Sequence, residues 1–126
     1  MKPKLLTIDD ESGVLEMIRS HFEMRGYEVF TASDGVEGIA MCERVRPDAI
    51  LLDLKMRQMD GDKALPHLRA LMPNAKIFVV SAYQDDITQR RIAGLGADGY
   101  FEKPLSIIEL YRIIDTALSA LRLTQS

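Results

Sequence analysis

Three carboxylates follow two short apolar runs of the sequence and could share one cation. Asp9 and Asp10 come directly after Lys4–Ile8, and Asp53 follows Ala49–Leu52. Unbroken apolar runs of this length are typical of strands that are buried on both faces of a parallel sheet. If these two strands are neighbours, the carboxylates meet at one edge of the sheet. Like charges placed so close raise one another's pKa and destabilise the fold unless a cation neutralises them.

A hard divalent cation would suit such a cluster. Mg²⁺ binds few carboxylates, keeps several waters and leaves room for phosphate oxygens, and Mn²⁺ accepts similar oxygen ligands. Each carboxylate also has a simpler interpretation. Asp9 or Asp10 could cap a helix that begins near Ser12, and Asp53 could be an ordinary loop residue. The combination of all three favours the metal site.

A hydroxyl and an ammonium group are placed to join these carboxylates. Ser81 follows the apolar run Ile77–Val80, and Lys103 follows the weaker run Gly99–Phe101. Parallel sheets bind ligands outside the carboxyl ends of their strands, where all of these groups would lie. The set predicts a phosphoryl site in which Asp53 is the nucleophile, while Lys103 and Ser81 bind the phosphoryl oxygens. Taken singly, a strand-end hydroxyl and a solvated lysine would be the simpler interpretations.

Strands and helices alternate in the pattern that must position these groups. A further, weaker strand pattern covers Glu28–Thr31. Apolar residues at helical spacing fill the segments between the strands. They are Val14, Ile18 and Phe22; Val36, Ile39 and Cys42; Leu65, Leu68 and Leu71; and Ile107, Tyr111, Ile114, Leu118 and Leu121. The alternation predicts an α/β fold of five strand–helix units, with helices on both faces of a parallel sheet.

Two of the predicted helices are irregular. The fourth has few apolar residues, Ile87, Ala93 and Leu95, among many charged neighbours, so we expect it to be weakly anchored and mobile. Pro66 interrupts the third pattern. A helix start near Lys63 would place this proline in or near the first turn, where a missing N–H matters least.

Composition favours a single compact domain. The chain has 126 residues, of which 47% are hydrophobic, enough for a core without metal or disulfide staples. Its net charge of −3 argues against nucleic-acid binding. Cys42 is the only cysteine, so an internal disulfide is excluded, and we expect a packed thiol and a cytoplasmic location. The apolar runs are too short to span a membrane, and no signal peptide is visible.

Several short motifs accompany the strand ends. They are Asp9-Asp10-Glu11; Asp34-Gly35; Asp53 with Met56, Met59, Asp60 and Gly61; Ser81-Ala82; Gly96-Ala97-Asp98-Gly99-Tyr100; and Lys103-Pro104. In this order and spacing, the sequence resembles the receiver domains of bacterial response regulators over essentially its whole length. The resemblance implies a flavodoxin-like, doubly wound sheet of strand order 2-1-3-4-5. It also implies a receiver domain over residues 1–122 and a short tail over residues 123–126.

The resemblance implies how a phosphoryl group would be accepted. Asp53 would receive it from a sensor histidine kinase or a phosphotransfer protein of a two-component system. Asp10 and Asp53 would bind Mg²⁺ directly, together with the backbone carbonyl of Lys55, and Asp9 would act through water. The chain would then be no enzyme in the usual sense, since it would catalyse only its own phosphorylation and dephosphorylation.

The resemblance also implies a switch. Ser81 would be the switch hydroxyl, Lys103 the phosphate partner, and Tyr100 the aromatic residue that moves inward when Ser81 moves. The surface formed by the fourth helix, fifth strand and fifth helix would change shape and signal to an output domain or target protein. The bond between Lys103 and Pro104 is similar to one that is cis in the family, although trans is the default for an X–Pro bond.

Two features set this sequence apart from the family pattern around the acceptor. Arg57 stands where proline is usual, which should loosen the loop after the third strand. Lys55 and Tyr83 occupy two positions that tune the access of hydrolytic water. A bulky Tyr83 suggests slow self-dephosphorylation.

Other functions are compatible with parts of the pattern. A phosphatase of the haloacid dehalogenase type needs a second acid two residues after its nucleophile, where this chain has Lys55. A constitutive adaptor would keep the fold and use no phosphate. A phosphohistidine carrier could use His21 or His67, but that role calls for a helical bundle, and both are expected to be exposed helix residues.

Assembly and context are less well indicated. Arg90, Arg91, Asp98 and Arg112 could pair across a dimer face or could simply be solvated charges. We therefore expect a monomer, or a weak dimer through the surface of the fourth helix, fifth strand and fifth helix. The short distance from Met1 to the first strand suggests that the receiver opens its chain.

Overall fold

A computed structural model describes residues 2–56, 60–82 and 85–125, the last five of these without their side chains. Within these ranges five strands and five helices alternate along the chain. The strands are β1 (Lys4–Ile8), β2 (Glu28–Ala32), β3 (Ala49–Asp53), β4 (Lys76–Ser81) and β5 (Gly99–Glu102). The helices are α1 (Ser12–Glu23), α2 (Gly35–Val45), α3 (Gly61–Leu71), α4 (Asp86–Gly94) and α5 (Ile107–Gln125). The predictions that concern Arg57, Met59 and Tyr83 lie outside the described residues.

The five strands form one parallel sheet in the order β2-β1-β3-β4-β5. This order and the alternation of elements confirm the predicted doubly wound fold. The central strand β3 is buried along its whole length. Because successive side chains of a strand point to opposite faces, a strand covered on both faces needs an unbroken apolar run, and Ala49–Leu52 supplies one.

Two hydrophobic layers cover the two faces of the sheet. The first joins Ile50 and Leu52 of β3 to α2, α3 and α4. The second joins Ala49 and Leu51 of the same strand to α1 and α5. Cys42 of α2 is fully buried in the first layer, as a packed thiol should be.

The third helix begins earlier than the sequence suggests. It starts at Gly61 rather than near Lys63, so Pro66 is beyond the first turn. The prediction that placed this proline in or near the first turn is therefore wrong. Pro66 has no N–H to donate to the carbonyl of Asp62, and it occupies the exposed side of the helix, where water can reach that carbonyl.

The fourth helix is anchored by a residue that the periodicity did not indicate. Ile92 is the one buried residue of α4. Of the three apolar residues named from the sequence, Ile87 and Ala93 are exposed, and only Leu95, just past the helix, packs partly against the core. The expected weakness of the apolar face is confirmed.

Several side chains differ from their predicted surroundings. Val36 of α2 is exposed, although it belonged to the apolar pattern of that helix. His67 is exposed as expected, but His21 is half-buried, with its ring 5.8 Å from that of Tyr111. Burial, and secondarily Arg25, lowers the pKa of His21.

Two of the charged residues considered for a dimer face are paired within the chain. Arg91 lies 2.8 Å from Asp62, and Asp98 lies 2.7 Å from Arg69. Of the helices in the described ranges, none is both long and apolar enough to cross a bilayer.

Candidate functional site

The three carboxylates predicted to meet do so at the carboxyl end of the sheet. Strands β1 and β3 are neighbours, and Ile8 is paired with Leu52, so the residues that follow lie side by side. Asp9, Asp10 and Asp53 each offer an oxygen within 4.8 Å of the others. Asp9 and Asp53 are only 4% and 5% exposed. This is a tight, largely desolvated cluster of like charges.

The start of α3 packs directly against the backbone that carries Asp53. A Cβ atom on Gly61 would lie 2.8 Å from the Cα of Leu54 and would overlap the carbonyl oxygen of Asp53. The N–H of Gly61 donates to the Leu54 carbonyl at 2.8 Å. Only glycine permits this approach, which gives a physical reason for the Asp60-Gly61 motif.

Asp60 stabilises the same region from the other side of the motif. Its carboxylate accepts the N–H of Met56 at 3.2 Å, while its carbonyl accepts the N–H of Ala64 in the first turn of α3. Asp60 therefore connects Met56, which follows β3, to the first turn of α3.

Lys103 lies among the carboxylates, as predicted. Its Nζ is 3.3 Å from Oδ2 of Asp53 and 3.6 Å from Oδ2 of Asp9. Its backbone N–H donates to the carbonyl of Ser81 at 2.9 Å, and the peptide bond to Pro104 is cis, as the resemblance implies. The lysine is thus held at the ends of β4 and β5 with its ammonium directed toward the end of β3.

The electrostatics of the cluster follow from burial and from mutual repulsion. Burial, and next the charge of Asp9, raises the pKa of Asp53 to about 6, against the opposing effect of Lys103. Burial also raises the pKa of Asp9, although the N–H of Glu11 and the charge of Lys103 oppose it. Repulsion between the carboxylates was the expected cause of these raised pKa values, but burial is the larger one.

The surroundings of Lys103 favour its charged form, whereas those of Asp9 and Asp53 favour the neutral form. Burial acts to lower the pKa of Lys103, but the attraction of Asp53 and Asp9 outweighs it, and the pKa is raised. The ammonium is therefore charged at neutral pH.

A pocket of about 170 Å³ opens beside these groups, several times the ~30 Å³ that one water occupies. It is lined by Asp10, Glu11, Asp53, Lys55, Ser81, Ala82 and Lys103. Ser81 is buried at the end of β4, and the N–H of Lys55 donates to Oδ1 of Asp53 at 3.4 Å. The structure therefore brings together the predicted nucleophile, hydroxyl and ammonium around one cavity.

Tyr100 is the predicted site residue that lies away from this cavity. It is on β5, paired in register with Val79, and its half-buried side chain packs against the first hydrophobic layer. Its hydroxyl oxygen is enclosed and has no hydrogen-bond partner among the residues that the structure describes.

Glu11 was not given a role from the sequence, yet its carboxylate accepts a hydrogen bond from Lys103 at 3.2 Å.

A family profile described as the response regulator receiver domain matches residues 5–115. The chain belongs to this family. The receiver assignment also agrees with curated relatives, among them the response regulator MprA of Mycobacterium leprae, which is 39% identical over 109 residues. That match covers 85% of this chain and 47% of the relative, so the chain spans about half the length of the curated relatives it matches.

Solved receiver structures share the whole architecture. The CheY-like receiver domain protein from Methanospirillum hungatei JF-1 superposes with a TM-score of 0.93 at 27% identity, covering 98% of this chain and 99% of that one. A response regulator from Burkholderia pseudomallei has a TM-score of 0.85 at 25% identity, covering 99% of this chain and 74% of that one. The latter was crystallised with a phosphorylated aspartic acid, a calcium ion and citrate.

Proposed function

We propose that this receiver domain accepts a phosphoryl group on Asp53 from a sensor histidine kinase or a phosphotransfer protein. One observation carries the proposal: Asp53 lines the pocket at the end of β3 with the ammonium of Lys103 at 3.3 Å and a second and third carboxylate beside it. The phosphorylated aspartate in the similar Burkholderia protein supports the same chemistry here.

The donor set fits a hard divalent cation, Mg²⁺ or Mn²⁺. Three carboxylates with oxygens within 4.8 Å of one another are the ligand type that such ions prefer. Asp10 and Asp53 would bind the ion directly with the carbonyl of Lys55, and Asp9 would bind it through water. When bound, the ion would screen the charge of the carboxylates and of the incoming phosphoryl group.

Asp53 would act as the nucleophile. One of its carboxylate oxygens forms a bond to phosphorus while the bond from phosphorus to the donor's leaving atom breaks, and an acyl phosphate results. The reaction needs the ionised carboxylate, and a pKa of about 6 leaves Asp53 mostly ionised at neutral pH. Lys103 and Ser81 would then donate hydrogen bonds to the phosphoryl oxygens.

The phosphoryl group would act on the surface formed by α4, β5 and α5. Ser81 would move toward the new oxygens, and Tyr100 would follow it. The pairing of β4 with β5 supports this coupling, because it places Tyr100 beside Val79, two residues before Ser81. A groove of about 520 Å³ on this surface, lined in part by Tyr100 and Ile113, could receive an output domain, a target protein or a second copy in a weak dimer.

The domain would catalyse only its own phosphorylation and dephosphorylation. Membership in the receiver family argues against a phosphatase of the dehalogenase type. A constitutive adaptor with the same fold is still a competing function. The cytoplasmic location remains a prediction. So does the slow dephosphorylation that Tyr83 suggests.

Acetyl phosphate with Mg²⁺ tests the proposal directly. Intact-mass spectrometry should record the gain of one phosphoryl group by the natural sequence and no gain by Asp53→Asn. Asp86→Asn, the same change at an exposed position of α4, should be phosphorylated normally. If the natural sequence gains nothing, or if Asp53→Asn gains as much, Asp53 is not the acceptor and the adaptor alternative is favoured.

A further inference from the structure

The ammonium of Lys103 contacts a carboxylate that lies outside the cluster of three. Its Nζ is 3.2 Å from Oε1 of Glu11, a shorter distance than the 3.3 Å to Asp53 and the 3.6 Å to Asp9. Of the three N–H donors of the ammonium, two are hydrogen-bonded to carboxylates, those of Glu11 and Asp53, and Asp9 lies beyond hydrogen-bond distance. A phosphoryl oxygen would therefore compete with these carboxylates for the ammonium.

Glu11 is placed to be this competitor. It is the residue before α1, but its side chain makes no capping hydrogen bond to the helix and reaches across to the β5–α5 loop instead. Its backbone is held, because its N–H donates to Oδ1 of Asp9 at 2.9 Å. Its side chain is 61% exposed, whereas that of Lys103 is 23% exposed, so the carboxylate can leave the ammonium with little loss of packing.

The charge of the pocket makes this competition matter. Among the described residues that line it, the carboxylates of Asp10, Glu11 and Asp53 outnumber the ammonium groups of Lys55 and Lys103. Glu11 is the most exposed of these three acids. Unlike Asp10 and Asp53, it is not one of the proposed metal ligands. Bound Mg²⁺ would offset much of this charge, but a small anionic donor entering from solvent would still find Lys103 engaged by Glu11.

We propose that Glu11 is a specificity-determining residue that withholds Lys103 from small anionic phosphodonors and slows phosphorylation by them. The inference rests on the proposed phosphorylation of Asp53. A protein donor can offset the penalty with contacts outside the pocket, whereas a small molecule cannot. Glu11 would thus favour the protein donor over small phosphorylated metabolites.

The first test compares Glu11 variants with acetyl phosphate and Mg²⁺ at low ionic strength. Glu11→Gln keeps the shape and the hydrogen-bond acceptor but removes the charge, and it should be phosphorylated about threefold faster, the effect that an exposed ion pair supplies. Glu11→Asp keeps the charge and should stay close to the natural rate. Glu16→Gln is the matched control, because Glu16 is an exposed residue of α1 whose ion-pair partner is Arg19.

Two further readouts separate charge competition from a structural role. The gain from Glu11→Gln should shrink as salt is added, because exposed charges are screened. It should also be larger for acetyl phosphate than for phosphoramidate, which carries less negative charge near neutral pH. Beryllofluoride titrated with Mg²⁺ should bind Glu11→Gln more tightly by a similar factor, which reports anion binding without the chemical step.

The outcomes distinguish this inference from the proposed function. If the natural sequence accepts a phosphoryl group on Asp53 but Glu11→Gln is not faster, or is faster by a factor independent of salt and donor, the inference is overturned and the proposed function stands. A slower Glu11→Gln would make Glu11 a support for Lys103 rather than its competitor. If the natural sequence accepts no phosphoryl group from either donor, both fail. Equal thermal midpoints by circular dichroism would show that all variants are folded.

Discussion

The two ends of α4 are held in very different ways. The amino end of this helix lies at the edge of the sheet where the phosphoryl pocket opens, and the carboxyl end lies at the opposite edge. Two arginines contact the carboxyl-terminal part of the helix and the loop beyond it. Arg91 acts from the last turn of α4 and Arg69 from α3, and they differ in burial and in the number of partners.

Arg69 fastens the region just past the carboxyl end. Its guanidinium donates to the carbonyl of Gly96 at 2.8 and 3.0 Å and to the carboxylate of Asp98 at 2.7 Å. It also donates to carbonyls near the end of α3, including that of Ala75 at 2.8 Å. Asp98 in turn accepts the N–H of Ile77 at 2.8 Å. The side chain of Arg69 is only 24% exposed, so this is a network joining α3, β4 and the α4–β5 loop.

Arg91, in the last turn of α4, attaches the helix to α3 more lightly. It makes one ion pair with Asp62 of α3 at 2.8 Å, and the two side chains are 46% and 34% exposed. A space of about 200 Å³ lies between α3 and α4 here, lined in part by Asp85 and Thr88. Exposed pairs of this kind contribute little. Ile92, Arg91 and the Arg69 network all lie toward the carboxyl end of α4, so we expect any displacement of the helix to pivot about that end and to open near the pocket.

The largest expected effect comes from removing the one buried anchor of α4. Ile92→Ala should lower the free energy of unfolding by about 2–5 kcal/mol, because a buried isoleucine loses both transfer energy and packing. Ile87→Ala is the matched control on the same helix. Ile87 is 79% exposed, and its replacement should change stability by less than ~0.5 kcal/mol. Urea denaturation measures both, and equal losses would mean that α4 is not anchored through Ile92.

Replacing Arg69 should have the next largest effect. Arg69→Met keeps the length of the side chain but removes the guanidinium donor from the carbonyl of Gly96 and leaves the carboxylate of Asp98 with the N–H of Ile77, at a cost of about 1–3 kcal/mol. Amide hydrogen exchange should accelerate in residues 94–98 and at the end of α3. Arg90→Met removes an exposed arginine of α4 and should leave exchange in these residues unchanged. If both variants behave alike, the network does not fix the carboxyl end.

These contrasts also show what the sequence could predict. Buried strands need continuous apolar runs, so β1, β3 and β4 were recognisable, whereas β2 and β5, which are only partly buried, gave weaker patterns. The strand ends placed Asp53 and Lys103 at one edge. Ile92 was missed because α4 buries a single residue, which leaves no periodicity to detect. Glu11 was missed because it is an exposed residue just before α1, and no local pattern shows that its side chain turns toward Lys103. Strand ends predict which residues meet at one edge of the sheet, whereas the direction of an exposed side chain becomes visible only in the folded chain.

Breaking the ion pair between Arg91 and Asp62 should have a small effect. Arg91→Gln should lower stability by about 0.2–1 kcal/mol, since it removes one exposed ion pair. Amide exchange near Gly96 should increase less than it does in Arg69→Met. The difference from the natural sequence should decline as salt is added. A cost as large as that of Arg69→Met would mean that the Arg69 network is not the main attachment near the carboxyl end of α4.

The smallest effect concerns the cap of α4 and its pH dependence. The carboxylate of Asp85 accepts the hydroxyl of Thr88 at 2.8 Å and its N–H at 2.9 Å, and these bonds hold the pKa of Asp85 below its ordinary value of 3.8. A carboxylate with a lowered folded-state pKa contributes its stability above the unfolded-state pKa and loses it as the pH falls through the folded value. The Thr88 amide shift, followed by NMR during acid titration, should therefore have a midpoint below 3.8. Asp85→Asn still offers an oxygen to Thr88 but cannot titrate, so this midpoint should vanish while the helix remains capped. A midpoint at or above 3.8 in the natural sequence would mean that Asp85 does not hold the amino end of α4 in solution.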